Sequence, residues 1–116
     1  MINPDVITKC QKIAEGKIEV KNLPKNFQLD IVLSNNRFYG DRFLDPNGKH
    51  MYKYNNTISY FYFNTKLNTE IELFFNKRNN SINATIYFKD YNKSFVRLSL
   101  KKLVHIINLL NGWFIN

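Results

Sequence analysis

The sequence predicts a single α+β domain over residues 1–116: a mainly antiparallel β-meander of about five to seven strands, flanked by an N-terminal and a C-terminal helix. Three observations carry that prediction. Apolar residues in the first and last segments recur at helical spacing, and both segments have recognisable starts and stops. Between them the apolar period falls to two, as in strands with one buried face. The breaks between the period-two runs are short and rich in Asn, which is the composition of hairpin turns.

The first helix is predicted over residues 3–16. Asn3 is a good N-cap, Pro4 fits the first helical position, Asp5 complements the positive helix start, and Gly16 suits the left-handed position after the last turn. Val6, Cys10, Ile13 and Ala14 fall on one stripe with Ile7 beside it, so this face is expected on the core and Cys10 is expected to be a small buried residue rather than a reactive thiol. Ile18 and Val20 then alternate before Pro24. Phe27, Leu29, Ile31 and Leu33 also alternate, which predicts a strand ended by Asn35-Asn36.

Residues 35–48 lack a clean period and end in the turn signal Asp45-Pro46-Asn47-Gly48, so they are expected to form an irregular excursion with at most one short strand. Strands are then predicted over 49–54, 57–63, 69–76, 82–89 and 94–98. Ile58-Ser59-Tyr60-Phe61-Tyr62-Phe63 is apolar or aromatic on both faces, which suggests a central strand covered on both sides. Ser99 caps a last helix over 100–111, closed by Gly112. Leu100, Leu103, Val104, Ile107 and Leu110 form its core stripe, widened by Ile106 and Leu109.

Composition narrows the function classes. A hydrophobic content of 44% and an aromatic content of 16% fit an ordinary globular protein with large core side chains. No apolar run reaches the roughly 20 residues that span a bilayer, and the N-terminus lacks a signal-peptide layout, so the expectation is a cytoplasmic protein with no membrane contact. Cys10 is the only cysteine, and neither His50 nor His105 has a partner at metal-ligand spacing. Glycine loops for phosphate, nucleophile elbows and Cys/His pairs are absent as well. No cofactor, metal or catalytic residue is therefore predicted, and the chain reads as a non-enzymatic binding protein. Glu70 and Glu72 are the nearest carboxylate pair, and they are expected on the solvent side of a strand whose other face holds Ile71, Leu73 and Phe75.

The net charge of +8 points to a polyanionic partner. Much of that charge has a second origin. Asn, Lys, Ile, Phe and Tyr are abundant while Ala, Gly and Pro are scarce, the signature of AT-rich codons in a low-GC bacterium, plasmid or phage. The constellation that remains is basic plus aromatic. If Met51 faces inward, His50, Tyr52 and Tyr54 line the opposite face, where Tyr60 and Tyr62 of the next strand join them. Bases of single-stranded DNA or RNA stack on such rings while Arg37, Arg42, Lys77, Arg78, Lys89, Lys93 and Arg97 track phosphates from turns and strand edges. Lys101 and Lys102, just after Ser99, are expected to join Arg97 in an anion site at the helix start.

The run Ser94-Phe95-Val96-Arg97-Leu98-Ser99-Leu100, passing straight into a Lys-Lys-bearing helix, resembles the strand-to-helix element of small single-stranded-DNA-binding transcriptional coactivator domains. No functional residue is carried over from that likeness. The leading expectation is a binder of single-stranded nucleic acid or of a host nucleoprotein complex. The alternative is a small phage or mobile-element inhibitor of a host defence system, of the anti-CRISPR type, acting by protein-protein contact through aromatics such as Tyr39, Phe43 or Trp113. A homo-oligomer paired along an exposed sheet edge is a third.

Overall fold

The computed structural model describes residues 2–40, 50–54 and 56–112, with the backbone alone described for 50–54. The chain forms α1 (Pro4–Ala14), α2 (Leu29–Asn35), β1 (Tyr39–Gly40), β2 (His50–Tyr54), β3 (Thr57–Asn64), β4 (Thr69–Asn76), β5 (Ser81–Phe88), a 3-10 turn (Lys89–Tyr91), β6 (Lys93–Ser99) and α3 (Leu100–Leu110). The α+β class and the antiparallel meander bracketed by helices are as the sequence predicts. Six strands occupy five positions in the sheet, because β1 and β2 both pair with the outer side of β3, at opposite ends of it.

Register divides the sheet into two chemically different faces. Tyr60, Leu73, Ala84 and Leu98 stand in one row across β3–β6, and Tyr62, Ile71, Ile86 and Phe95 in the next. Of these, Ile71 and Ile86 are fully enclosed, and Phe95 meets Phe88 edge to face at 5.5 Å. All three helices pack on this side. α3 lies against β5 and β6, α1 against β6 and α3, and α2 against α3. Leu103, Ile106 and Ile107 of α3 and Cys10 of α1 are buried between sheet and helices. Each such aliphatic side chain removed from water contributes roughly 1.5–3 kcal/mol.

The helix ends follow the sequence. Asn3 Oδ1 accepts the Asp5 amide at 2.8 Å, and Ser99 Oγ accepts the Lys102 amide at 3.3 Å. Gly16 and Gly112 take φ of 76° and 78° just beyond α1 and α3. Behind α1 the Lys17 and Gly16 amides return to the Lys12 and Ile13 carbonyls at 2.8 and 3.1 Å, which closes the last turn. Cys10 is buried, and desolvation pushes its thiol up to about 12, so it is an inert core residue as expected.

Two sequence expectations are corrected. The first is the strand predicted at Phe27, Leu29, Ile31 and Leu33, where the structure has helix α2. Leu29, Val32 and Leu33 also satisfy i, i+3, i+4 spacing, and it is this stripe that meets the core, whereas Ile31 stays 51% exposed. Tertiary burial of Leu33 and Phe38 decides the ambiguity. The Phe38 amide donates to the Leu33 carbonyl at 2.8 Å and the Arg37 amide to the Ser34 carbonyl at 3.0 Å, with Arg37 left-handed at φ 66°. Ile18 and Val20, which alternate like a strand, lie outside the sheet.

The second correction concerns β3. It sits beside the outer position rather than in the middle, and among the described residues no helix packs on its second face. Phe61 and Phe63 are half-buried there. The other predicted strands agree with β2, β4, β5 and β6 to within one residue at each end. The turn predicted at residues 45–48 lies outside the described residues.

Candidate nucleic-acid interface

The face of the sheet turned away from the helices is built from the alternate residues of the same strands. Phe63, Glu70, Tyr87 and Ser94 form one row, Phe61, Glu72 and Thr85 the next, then Ser59, Phe74, Asn83 and Ser99, and finally Thr57, Asn76 and Ser81. Tyr39 of β1 pairs with Phe63 and is 53% exposed. Phe61, Phe63, Phe74 and Tyr87 are all half-exposed. Glu70 and Glu72 are on this face as the alternation requires.

The charges on this face are segregated. Lys89 Nζ sits 4.6 Å from the centroid of the Phe63 ring and 3.9 Å from Glu70 Oε2, a long, exposed pair at the end nearest the β3–β4 turn that leaves the cation open to a phosphate. At the opposite end a shallow groove of about 730 Å³ is floored by Phe74 and bordered by Asn76, Asn83 and Thr85, with Val96 and Arg97 as its wall. Among the described residues no carboxylate lines it. Val96 and Arg97 protrude because β6 carries one extra residue there, so that both lie opposite Thr85. Arg97 takes φ 55° and Val96 is 61% exposed. Lys77 and Arg78 are exposed in the adjoining β4–β5 turn, where Asn76 Oδ1 accepts the Arg78 amide at 2.9 Å.

Several residues singled out from the sequence are placed elsewhere. Tyr60 pairs with Met51, and Tyr62 pairs with Gly40, so both lie on the helix side, whereas Tyr52 and Tyr54 pair with Ser59 and Thr57 of the helix-free face. Of the four tyrosines expected to share a surface, Tyr60 and Tyr62 are on the helix side, and the side chains of Tyr52 and Tyr54 lie outside the described residues. Tyr62 is buried, and desolvation, with the Asp30 carboxylate and Tyr60 adding to it, pushes its phenol up to about 12. Tyr60 and Tyr62 border a different groove, of about 540 Å³, between the start of α2 and the sheet.

Lys101 and Lys102 are half-buried and make structural contacts. Lys102 Nζ donates to the Ala14 carbonyl at 3.2 Å, where a cation complements the negative end of α1, and Lys101 Nζ donates to Asn22 Oδ1 at 3.3 Å. Arg97 does not join them, since it borders the groove on the opposite face. Lys93 Nζ donates to Gln11 Oε1 at 2.6 Å and ties β6 to α1. Arg37 is exposed behind α2, and Arg42, Phe43 and Trp113 lie outside the described residues.

Sequence reasoning missed Phe74, Asn76, Asn83 and Val96. The available signal was the outward set of the 69–76 strand, where a large apolar Phe74 follows Glu70 and Glu72 on the face meant for solvent. Among the described residues no cluster of His, Cys, Asp and Glu could hold a metal ion, and no helix is long and apolar enough to cross a membrane. Compared with protein-family models, curated proteins and solved structures, the chain matches none of them.

Proposed function

We propose that this protein is a non-enzymatic binder of single-stranded nucleic acid, free or within a nucleoprotein complex, and that the helix-free sheet face is its binding surface. The observation that carries the reading is the combination on one open face of half-exposed rings, Phe61, Phe63, Phe74 and Tyr87, with Lys77, Arg78, Lys89 and Arg97 at its ends and edge. Every base has a π-face that can stack on such rings, and cations at the rim follow the phosphates. Affinity for short single-stranded oligonucleotides, measured by fluorescence anisotropy across a salt series, tests it. If those four cations each neutralise a phosphate, log K falls against log salt with a slope of about −3. No binding at the lowest salt overturns the proposal.

A second reading, inhibition of a host nucleoprotein machine through protein contact, is favoured by one observation: Tyr39 and Val96 are more than half exposed on the same face. Nuclease treatment separates the two. A complex with a purified host machine that survives nuclease and is lost on Tyr39→Ala supports protein contact, whereas loss of binding with the nucleic acid supports the first reading.

A further inference from the structure

We propose that the groove over Phe74 accommodates one unstacked adenine and reads its hydrogen-bonding edge through Asn83, a deepening that rests on the single-strand reading above. The geometry is that of a base pocket rather than a bare stacking platform. Phe74 supplies an aromatic side chain to the groove, and Asn83 is its direct cross-strand partner, so the two side chains stand next to each other on this face. A base lying on Phe74 therefore presents its edge to Asn83. The carboxamide offers one acceptor and two donors, the pattern that meets the adjacent N6 amino group and N7 acceptor of adenine. Asn76 Oδ1 is engaged by the Arg78 amide, which leaves its Nδ2 group as a further donor at the same end.

The wall opposite supports the same occupant. The extra residue in β6 raises Val96 and Arg97 beside the floor, giving an apolar flank for the purine and a cation for its phosphate. Arg97 adopts φ 55°, which a non-glycine residue holds only at a cost, and it does so at the border of the groove. Glu70 and Glu72 of this face do not line the groove, and the charged residue in its described lining is Arg97, a cation that complements a nucleotide. At about 730 Å³ the groove is within the size range of nucleotide-sized ligand sites.

The test compares equal-length adenine, cytosine and thymine tracts, in deoxy and ribo form, on the wild type, Asn83→Ala, Phe74→Leu and Arg97→Gln, with thermal melts to verify folding. The wild type should prefer adenine over thymine by about five- to a hundredfold, the worth of a good bidentate base contact. Asn83→Ala should bring that ratio close to unity, with the loss of affinity falling mainly on the adenine tract. Phe74→Leu, which keeps apolar bulk but removes the π-face, should weaken all tracts by about fivefold or more. Equal binding of all tracts by the wild type, with salt sensitivity intact, overturns the base pocket and leaves the single-strand reading standing. An adenine preference that persists in Asn83→Ala overturns the assignment of Asn83, and absence of binding to any tract overturns both proposals.

Discussion

Replacing Arg37 with glycine should make the protein more stable, against the usual direction of point substitutions. Arg37 occupies the left-handed position that ends α2, with φ 66°, and the flanking amides close the turn onto Ser34 and Leu33. An L side chain in this region costs about 1–2 kcal/mol, because Cβ crowds the following carbonyl oxygen. Glycine removes that cost but makes the unfolded chain more flexible, which returns about 0.5–1 kcal/mol. Taking the middle of both ranges, the net gain expected for Arg37→Gly is about 0.7 kcal/mol, or roughly 2–6 °C in Tm for a chain of this size. Arg37→Ala is the control, since it removes the same exposed charge and keeps Cβ, and it should stay within about 0.5 kcal/mol of the wild type. Urea denaturation of the three proteins measures the differences. A glycine variant no more stable than the alanine variant refutes the reasoning, because it would show that the backbone at this position carries no strain.

Two further outcomes follow from the buried polar groups. Asn64, 1% exposed, donates from Nδ2 to the Asn36 carbonyl at 2.9 Å and accepts the Leu67 amide on Oδ1 at 2.8 Å. Asn64→Ala should cost about 2–4 kcal/mol in urea denaturation, since buried backbone partners lose their bonds, and a cost below about 1 kcal/mol would contradict this role. Tyr62 links stability to alkaline pH. Its phenol titrates at 10.0 when unperturbed and at about 12 in the fold, so the folded state holds a proton that the unfolded state releases. Its contribution is complete below pH 10 and falls away as pH rises toward 12, by roughly 1–3 kcal/mol. Tyr62→Phe should flatten that part of the stability profile, and an unchanged alkaline slope would rule Tyr62 out as its source.

Most of the architecture was legible because local and tertiary preferences agree. The termini of α1 and α3 carry their own stop residues, Gly16 and Gly112, and each meander turn from β3 onward ends in an Asn that takes positive φ: Asn68, Asn80 and Asn92. The asparagines attributed to coding bias therefore include residues that the hairpins require. Where the pattern served two masters, reading failed. Leu29, Ile31 and Leu33 alternate, yet Leu29, Val32 and Leu33 also make a helical stripe, and only the packing of Leu33 and Phe38 into the core decides between them. The side of the sheet that Tyr60 and Tyr62 occupy was hidden for a related reason. β3 is aromatic on both faces, so its sequence does not say which face the helices cover, and the pairing of Tyr60 with Met51 is a property of register alone. The Phe74 groove depends on an extra residue in β6, which no periodicity in β4 reveals.

The central claim, that the helix-free sheet face is the binding surface, is tested most directly by titrating isotopically labelled protein with a short single-stranded oligonucleotide and following its NMR signals. The account predicts that the largest shifts fall on the backbone amides of Phe74, Thr85, Val96 and Arg97 and on the side-chain amides of Asn76 and Asn83, with Cys10, Ile106 and Ile107 unmoved. Shifts concentrated on α1 and α3, around Lys101 and Lys102, would contradict it, as would a spectrum that does not change.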